Sequence, residues 1–114
     1  MDMSEPMKAA ILHILLALAD EPRHGYAIMQ AVNQQSNGAV PLRTGSFYRH
    51  LSNLINDGLI AEAATRPSDA DPRRGAYYRL TARGRDALDA ERRRLLSLVD
   101  AFPQSRRAPR KGQA

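Results

Sequence analysis

Residues 43–60 constrain the fold more than any other segment, because they combine the pattern of an amphipathic helix with a clear end. Three apolar residues recur at the spacing of one helix face, namely Phe47, Leu51 and Leu54. We expect Thr44 to cap the first turn and Gly58 to close the last turn in a left-handed conformation. The segment therefore predicts one helix that packs against a core and is followed by an apolar strand.

The opposite face of this helix is polar and rich in hydrogen-bond donors, and it follows Arg43 at the positive end of the helix dipole. When a helix lies in the major groove of DNA, Arg binds guanine, Asn binds adenine, and N-terminal amides meet phosphates. An ordinary solvated helix shows the same pattern, so the neighbouring segments must distinguish the two. The candidate DNA contacts here are Arg43, Thr44, Ser46, Arg49, His50 and Asn53.

The charge distribution favours a polyanionic partner. The chain of 114 residues suits a single small domain, and its net charge of +5 is divided into −2 over residues 1–42 and +7 over residues 43–114. An anionic membrane surface or an acidic protein would also satisfy this asymmetry. Nearly all the basic residues are arginines, which favours bidentate contacts to phosphate and guanine, although a GC-rich genome produces the same bias.

Several function classes are excluded by what the sequence lacks. Without cysteine there is no disulfide framework, zinc-finger spacing or thiol nucleophile. The apolar run 9–19 is too short for a membrane span and has no signal-peptide cleavage site, so we expect a cytoplasmic protein without a membrane segment. The three histidines fall in different predicted elements, and no metal, phosphate-loop or paired-carboxylate pattern is present. We expect no enzyme activity, no metal and no cofactor.

Two more helices precede the polar-faced one. Ser4-Glu5-Pro6 predicts the start of a first helix that runs to Ala19 and is apolar over more than half its circumference, as a central core helix is. After a turn at residues 20–23, His24-Gly25-Tyr26 opens a second helix through Gln35. Its predicted buried face comprises Tyr26, Ile28, Met29 and Val32. Three helices with short turns make a helix-turn-helix layout.

Beyond residue 58 the apolar period changes from about 3.6 to 2, which predicts strands at residues 59–65 and 76–80. Beside a helix-turn-helix, this hairpin is a wing whose basic shoulders would reach phosphates or the minor groove. The shoulder candidates are Arg66, Arg73 and Arg74. A charged hairpin loop is also commonly just a solvated one, and Asp69 and Asp71 at the tip oppose close approach to DNA.

The last predicted helix, residues 82–102, is capped by Thr81 and carries a heptad-like apolar seam. The seam comprises Leu88, Leu95, Leu98, Val99 and Phe102. We expect it to pair with a second subunit in a homodimer, and the alternative is that it folds back on its own domain. Residues 1–81 would then form the DNA-binding domain, and the basic residues 103–114 a disordered tail.

Four motifs together resemble the PadR family of transcriptional regulators. They are His24-Gly25-Tyr26, then Gly45-Ser46-Phe47-Tyr48 with Leu51 and Leu54, then Asp57-Gly58-Leu59-Ile60, and finally Tyr77-Tyr78-Arg79-Leu80-Thr81 with Gly84. The resemblance implies a winged helix-turn-helix, a C-terminal dimerisation helix, and a repressor that a small molecule releases from DNA. It also makes Tyr48 the aromatic residue of the recognition helix. The chain also departs from the family pattern. Arg49 stands where the family often has proline, and Gly75-Ala76 stands where the family has a basic residue before the tyrosines. The chain has no tryptophan.

The sequence thus predicts a mainly α protein with a small β-hairpin (α+β), a winged helix-turn-helix with a C-terminal dimerisation helix. Its expected partners are double-stranded DNA, a second copy of itself and a small-molecule effector of unknown identity, held between the first and last helices. The alternative is a winged helix that serves as a protein-interaction or RNA-binding module.

Overall fold

The structure, a computed structural model, describes residues 5–64 and 75–103 and contains four helices and three strands in that part of the chain. The chain order is α1 (Ala9–Ala17), β1 (Arg23–His24), α2 (Gly25–Gln35), α3 (Thr44–Asn56), β2 (Ile60–Glu62), β3 (Tyr77–Leu80) and α4 (Ala82–Asp100). This architecture confirms the predicted winged helix-turn-helix.

The three strands form one antiparallel sheet in the order β1-β3-β2. The predicted hairpin is confirmed, with Ile60 opposite Leu80 and Glu62 opposite Tyr78, although β2 is shorter than the predicted strand 59–65. β1 was not predicted, because we assigned a turn through Arg23. A two-residue strand is too short to show a period of two, and only its pairing with β3 defines it.

The core lies between the three helices of the helix-turn-helix and the sheet, with α1 at its centre as predicted. The buried residues come from every helix and include the predicted face of α3. The largest fully buried side chains are Phe47, Ile14, Leu15, Leu18, Ile28, Leu54, Leu59, Ile60 and Val32. Burying an apolar side chain of this size stabilises the folded state by about 1.5–3 kcal/mol, so this set fixes the orientation of α1, α2 and α3.

Two details of the first two helices differ from prediction. α1 begins at Ala9 with Lys8 as its N-cap, so Pro6 lies outside the helix, and Ser4 lies outside the described residues. The reason is tertiary: Met7 packs against the core, and its amide donates to the Glu91 carboxylate over 3.4 Å. Tyr26 is 52% exposed, because the buried face of α2 consists of Gly25, Ile28 and Val32 and does not include Tyr26.

The prediction that Thr44 caps α3 is also wrong. Thr44 is the first helical residue, Arg43 is the N-cap, and the Arg43 side chain makes no capping bond within the described part of the chain. The chain enters this helix after Pro41 in an extended course, so the capping position falls one residue earlier than expected. The predicted end is confirmed, since Gly58 has a φ of +79°.

The first turn of α4 is bonded to the end of α3. The predicted cap is confirmed, because Thr81 Oγ1 accepts from the Gly84 amide at 3.0 Å, and the same hydroxyl donates to the Gly58 carbonyl at 2.6 Å. Arg83 Nε donates to the Asp57 carbonyl at 3.0 Å. The α-helical part ends at Asp100, two residues before the predicted end.

Candidate nucleic-acid interface

α3 presents a polar face whose direction is set by its buried face. Because Phe47, Leu51 and Leu54 are buried, the opposite side of the helix must point outward. The predicted contacts Arg43, Thr44, Tyr48, Arg49 and Asn53 are exposed, and Ser46 and His50 are half-buried. Each of these seven residues therefore has at least part of its surface on the outside of the protein, and Arg49 Nη2 donates to Ser46 Oγ at 3.5 Å.

Tyr48 is held by a close approach of α2 to α3. Its ring meets that of Phe47 edge-on at 5.0 Å between centroids, and its hydroxyl lies above Gly25, the first residue of α2. His24 caps α2, since its Nδ1 accepts from the Ala27 amide at 3.1 Å, and its ring packs edge-on against Tyr77 at 5.3 Å. Burial and the neighbouring Tyr48 raise the pKa of Tyr78, so this phenol stays protonated. These contacts give His24 and Gly25 of the His24-Gly25-Tyr26 motif their structural role.

One flank of α3 faces the N-terminal segment across an open cleft of about 630 Å³. Arg49, His50 and Asn53 line its α3 side, and Glu5 to Lys8 line the other. Partial burial and then the positive charges of Arg49 and Lys8 hold the pKa of His50 below its usual value. We did not predict this cleft or a role for Lys8, and the only sequence signal was a lysine directly before α1.

Two arginines, one from each half of the chain, serve the fold and are not free for a partner. Arg23 Nε donates to the carbonyl of Ala17 at 2.7 Å, and Arg85 Nη1 donates to that of Ala19 at 3.0 Å. Both bonds satisfy carbonyls at the C-terminal end of α1. The predicted wing contacts Arg66, Arg73 and Arg74, and the tip residues Asp69 and Asp71, lie outside the described residues.

The apolar seam of α4 divides into two parts. Leu88 and Leu95 are half-buried and line a groove of about 510 Å³ together with Leu12 and Leu16 of α1. Leu98, Val99 and Phe102 are exposed, Val99 by 56% and Phe102 by 64%, and of these three only Val99 lines the groove. The first half of α4 therefore packs on its own domain, while the second half leaves its apolar side chains uncovered by the described chain.

Residues 12–90, well over half of the chain, match the model of the transcriptional regulator PadR-like family. The protein belongs to this family. Its membership makes the chain a DNA-binding transcriptional regulator, which confirms the predicted class. No curated protein matches the chain in sequence.

Several solved structures share the fold. RosR of H. salinarum is 27% identical, with a TM-score of 0.67 over 88% of this chain and 84% of that one. The hsRosR-S4 complex gives the same identity and TM-score over 89% and 81%. A PadR family regulator of Clostridium difficile R20291, at 20% identity, is similar in fold, with a TM-score of 0.67 over 82% and 93% of the two chains.

The described part of this PadR-like protein offers no metal centre, since residues 5–64 and 75–103 contain no group of three or more His, Cys, Asp or Glu side chains that could hold an ion. None of the helices described is long and apolar enough to cross a membrane.

His13 is bonded within the fold, because Gln35 Nε2 lies 3.1 Å from the Nδ1 of His13 and donates to the His13 carbonyl at 2.7 Å.

Proposed function

We propose that this PadR-like protein is a homodimeric repressor that binds a two-fold symmetric operator through α3 and is released by a small molecule. The observation that carries the proposal is the exposed polar face of α3, which is rigidly oriented by three buried apolar residues. Arg49 and Asn53 lie one helical turn apart on that face, where their side chains would reach base edges in the major groove.

The remaining predicted contacts act on the DNA backbone in this proposal. Arg43, Thr44 and Ser46 lie at the N-terminal end of α3, where backbone amides and the helix dipole favour a phosphate. Tyr48 and His50 flank the base-reading residues. Arg66, Arg73 and Arg74 of the wing would bind phosphates beside the major groove.

Dimerisation is supported by the uncovered half of the α4 seam. A second copy of α4 would bury Leu98, Val99 and Phe102 and place two copies of α3 on one side of the dimer. Residues 1–81 would then bind DNA, residues 82–102 would form the interface, and the basic residues 103–114 would remain a disordered tail. The protein would act in the cytoplasm, where the DNA is.

The effector site would lie in the groove between α1 and α4. Its lining is mainly leucine and valine, with Arg85, Asp89 and Arg92 at its edges, which suits a hydrophobic compound with a polar or charged group. Because the seam borders this groove, an occupant would alter the packing of α4 and hence the spacing of the two α3 helices.

A footprint on the promoter of the gene itself and of its neighbours tests the proposal, and Arg49→Ala sharpens it. The variant should lose about 1–3 kcal/mol on the protected sequence and little on random DNA. Arg92→Ala, which removes an exposed guanidinium from α4, is the matched control. It should leave the ratio of the affinities for the protected sequence and for random DNA unchanged. Equal losses on both DNAs in Arg49→Ala would contradict base readout by α3, and the absence of any protected DNA would favour the interaction-module alternative.

A further inference from the structure

The cleft between α3 and the N-terminal segment gathers positive charge from two separate parts of the chain. Lys8 comes from the residue before α1, whereas Arg49 and His50 come from the middle of α3, and all three line the same open space. Two acids, Glu5 and Asp57, also line the cleft. After the larger effect of partial burial, Arg49 and Lys8 both lower the pKa of His50, which agrees with all three lining the same cleft.

The start of α1 adds to this positive potential. Lys8 is the N-cap of α1, and its side chain makes no capping bond within the described residues, which leaves it available to the cleft. Ile11, in the first turn of α1, lies on the cleft wall, so the positive end of the helix dipole lies beside the two cationic side chains. Amides at a helix start and charged side chains together form the usual chemistry of a phosphate site.

We propose that this cleft is a phosphate-binding site formed by Lys8, Arg49 and His50. A phosphate bound there would accept hydrogen bonds from the guanidinium of Arg49, the ammonium of Lys8 and the imidazole ring of His50. Lying between these groups, its negative charge would offset the repulsion between their positive charges. Asn53 borders the same cleft and adds an amide donor. The phosphate could belong to the DNA backbone, and Arg49 would then bind that phosphate in place of the base contact proposed above. It could instead belong to a free phosphorylated molecule, which would cover Arg49 and compete with DNA.

The experiment is an NMR titration of the three histidines in phosphate-free buffer, with inorganic phosphate or chloride added at matched ionic strength. A bound anion stabilises the imidazolium form, so the pKa of His50 should rise in phosphate. His13 and His24 are internal references, because their rings are bonded to Gln35 and to the Ala27 amide and lie outside the cleft. Their ring signals should show no difference between the two salts.

Two variants of equal charge assign the site. Lys8→Gln should raise the pKa of His50 in chloride, because it removes a like charge, and it should reduce the further rise in phosphate at least twofold. Arg93→Gln on α4 lies outside both the cleft and the groove and should keep the full phosphate effect. The proposal is overturned if the His50 pKa is the same in both salts, or if Lys8→Gln and Arg93→Gln respond alike.

DNA binding then identifies the source of the phosphate, and this step rests on the proposed function. If a backbone phosphate occupies the cleft, Lys8→Gln should weaken cognate and random DNA by the same factor and lower the salt slope by about one. If only a free phosphate does, DNA affinity should be unchanged in Lys8→Gln, while inorganic phosphate displaces DNA from the wild-type protein. A protein that binds no DNA at all would refute the proposed function and leave the NMR result to decide the cleft.

Discussion

The hydroxyl of Tyr48 lies 2.7 Å from the point where a Cβ at position 25 would stand, so Gly25 leaves the space that the Tyr48 ring occupies. The contact joins the first residue of α2 to the exposed face of α3. It also explains physically why a glycine follows the capping His24 in this helix-turn-helix, since any side chain there would meet the phenol.

Gly25→Ala should therefore displace the Tyr48 ring. Tyr48 is half-exposed and its hydroxyl is the far end of a flexible side chain, so we expect a stability loss of only about 1 kcal/mol and several-fold weaker DNA binding. Urea unfolding and operator titration measure the two effects. Tyr48→Phe in the Gly25→Ala background removes the closest atom and should recover part of the stability. If the double variant is no more stable than Gly25→Ala, the phenol is not the obstacle.

Gly84→Ala should be far more damaging. A Cβ there would lie 2.1 Å from the Leu59 carbonyl oxygen and 2.6 Å from Leu80 Cδ1, and a backbone atom cannot swing aside. We expect a loss of about 3 kcal/mol or more in urea unfolding, because α4 must shift away from the start of β2. The matched control is Gly45→Ala in α3, where nothing lies within 4 Å and stability should be unchanged or slightly higher. Similar midpoints for the two variants would contradict this explanation.

Glu91 should make stability depend on pH in the acid range. Its side chain is only 3% exposed, and its carboxylate accepts from Arg94 at 2.6 and 3.0 Å. The hydrogen bonds from Arg94 lower its pKa, with a smaller contribution from the Met7 amide. Because the pKa is lower in the folded state, the stabilisation is present above the pKa of the unfolded chain and is lost as pH falls towards that of the folded protein.

Glu91→Gln should accordingly lower the free energy of unfolding at neutral pH by about 1–3 kcal/mol and flatten its decline below pH 5. Urea unfolding across the acid range measures both. Asp89→Asn breaks the exposed pair with Arg93 and serves as control, with an expected change below about 1 kcal/mol. Parallel pH profiles for Glu91→Gln and the wild type would show that another group is responsible.

Replacing both Leu95 and Val99 with Asp should convert a dimer to monomers, because it would place charges in a desolvated seam. Sedimentation of the purified protein measures the mass. Ile55→Asp is the control, since Ile55 is a similarly exposed apolar residue on α3 outside the seam. We expect that variant to keep the dimer mass. An unchanged mass in the double variant would place the interface elsewhere or leave the protein a monomer.

Local patterns predicted the elements that have a clear period. The buried face of α3, the left-handed Gly58 and the Thr81 cap were all confirmed, because each depends on residues within one or two turns. The caps at Ser4 and Thr44 were not found, since the start of a helix also depends on where the chain arrives from. β1 could not be predicted, because its two residues become a strand only by pairing with β3.

The candidate site was predictable on α3 and not beyond it. Periodicity alone placed Arg49 and Asn53 outward, since they oppose buried leucines. The cleft required the position of residues 5–8, which depends on the bond between the Met7 amide and Glu91, 84 residues apart in sequence. No spacing rule connects such a pair. The burial of Glu91, which lies in a charged stretch of α4, could not be predicted from the sequence for the same reason.

The bonds from Thr81 and Arg83 to the end of α3 make the start of α4 a fixed pivot. With 19 residues, α4 is a lever about 28 Å long, so a tilt of about 10° at the pivot would carry its far end by about 5 Å. Conversely, when the far end of α4 is displaced, α3 rotates by a small angle and does not shift far. The bonds at Gly58 thus determine how far the polar face of α3 rotates when the outer end of α4 moves.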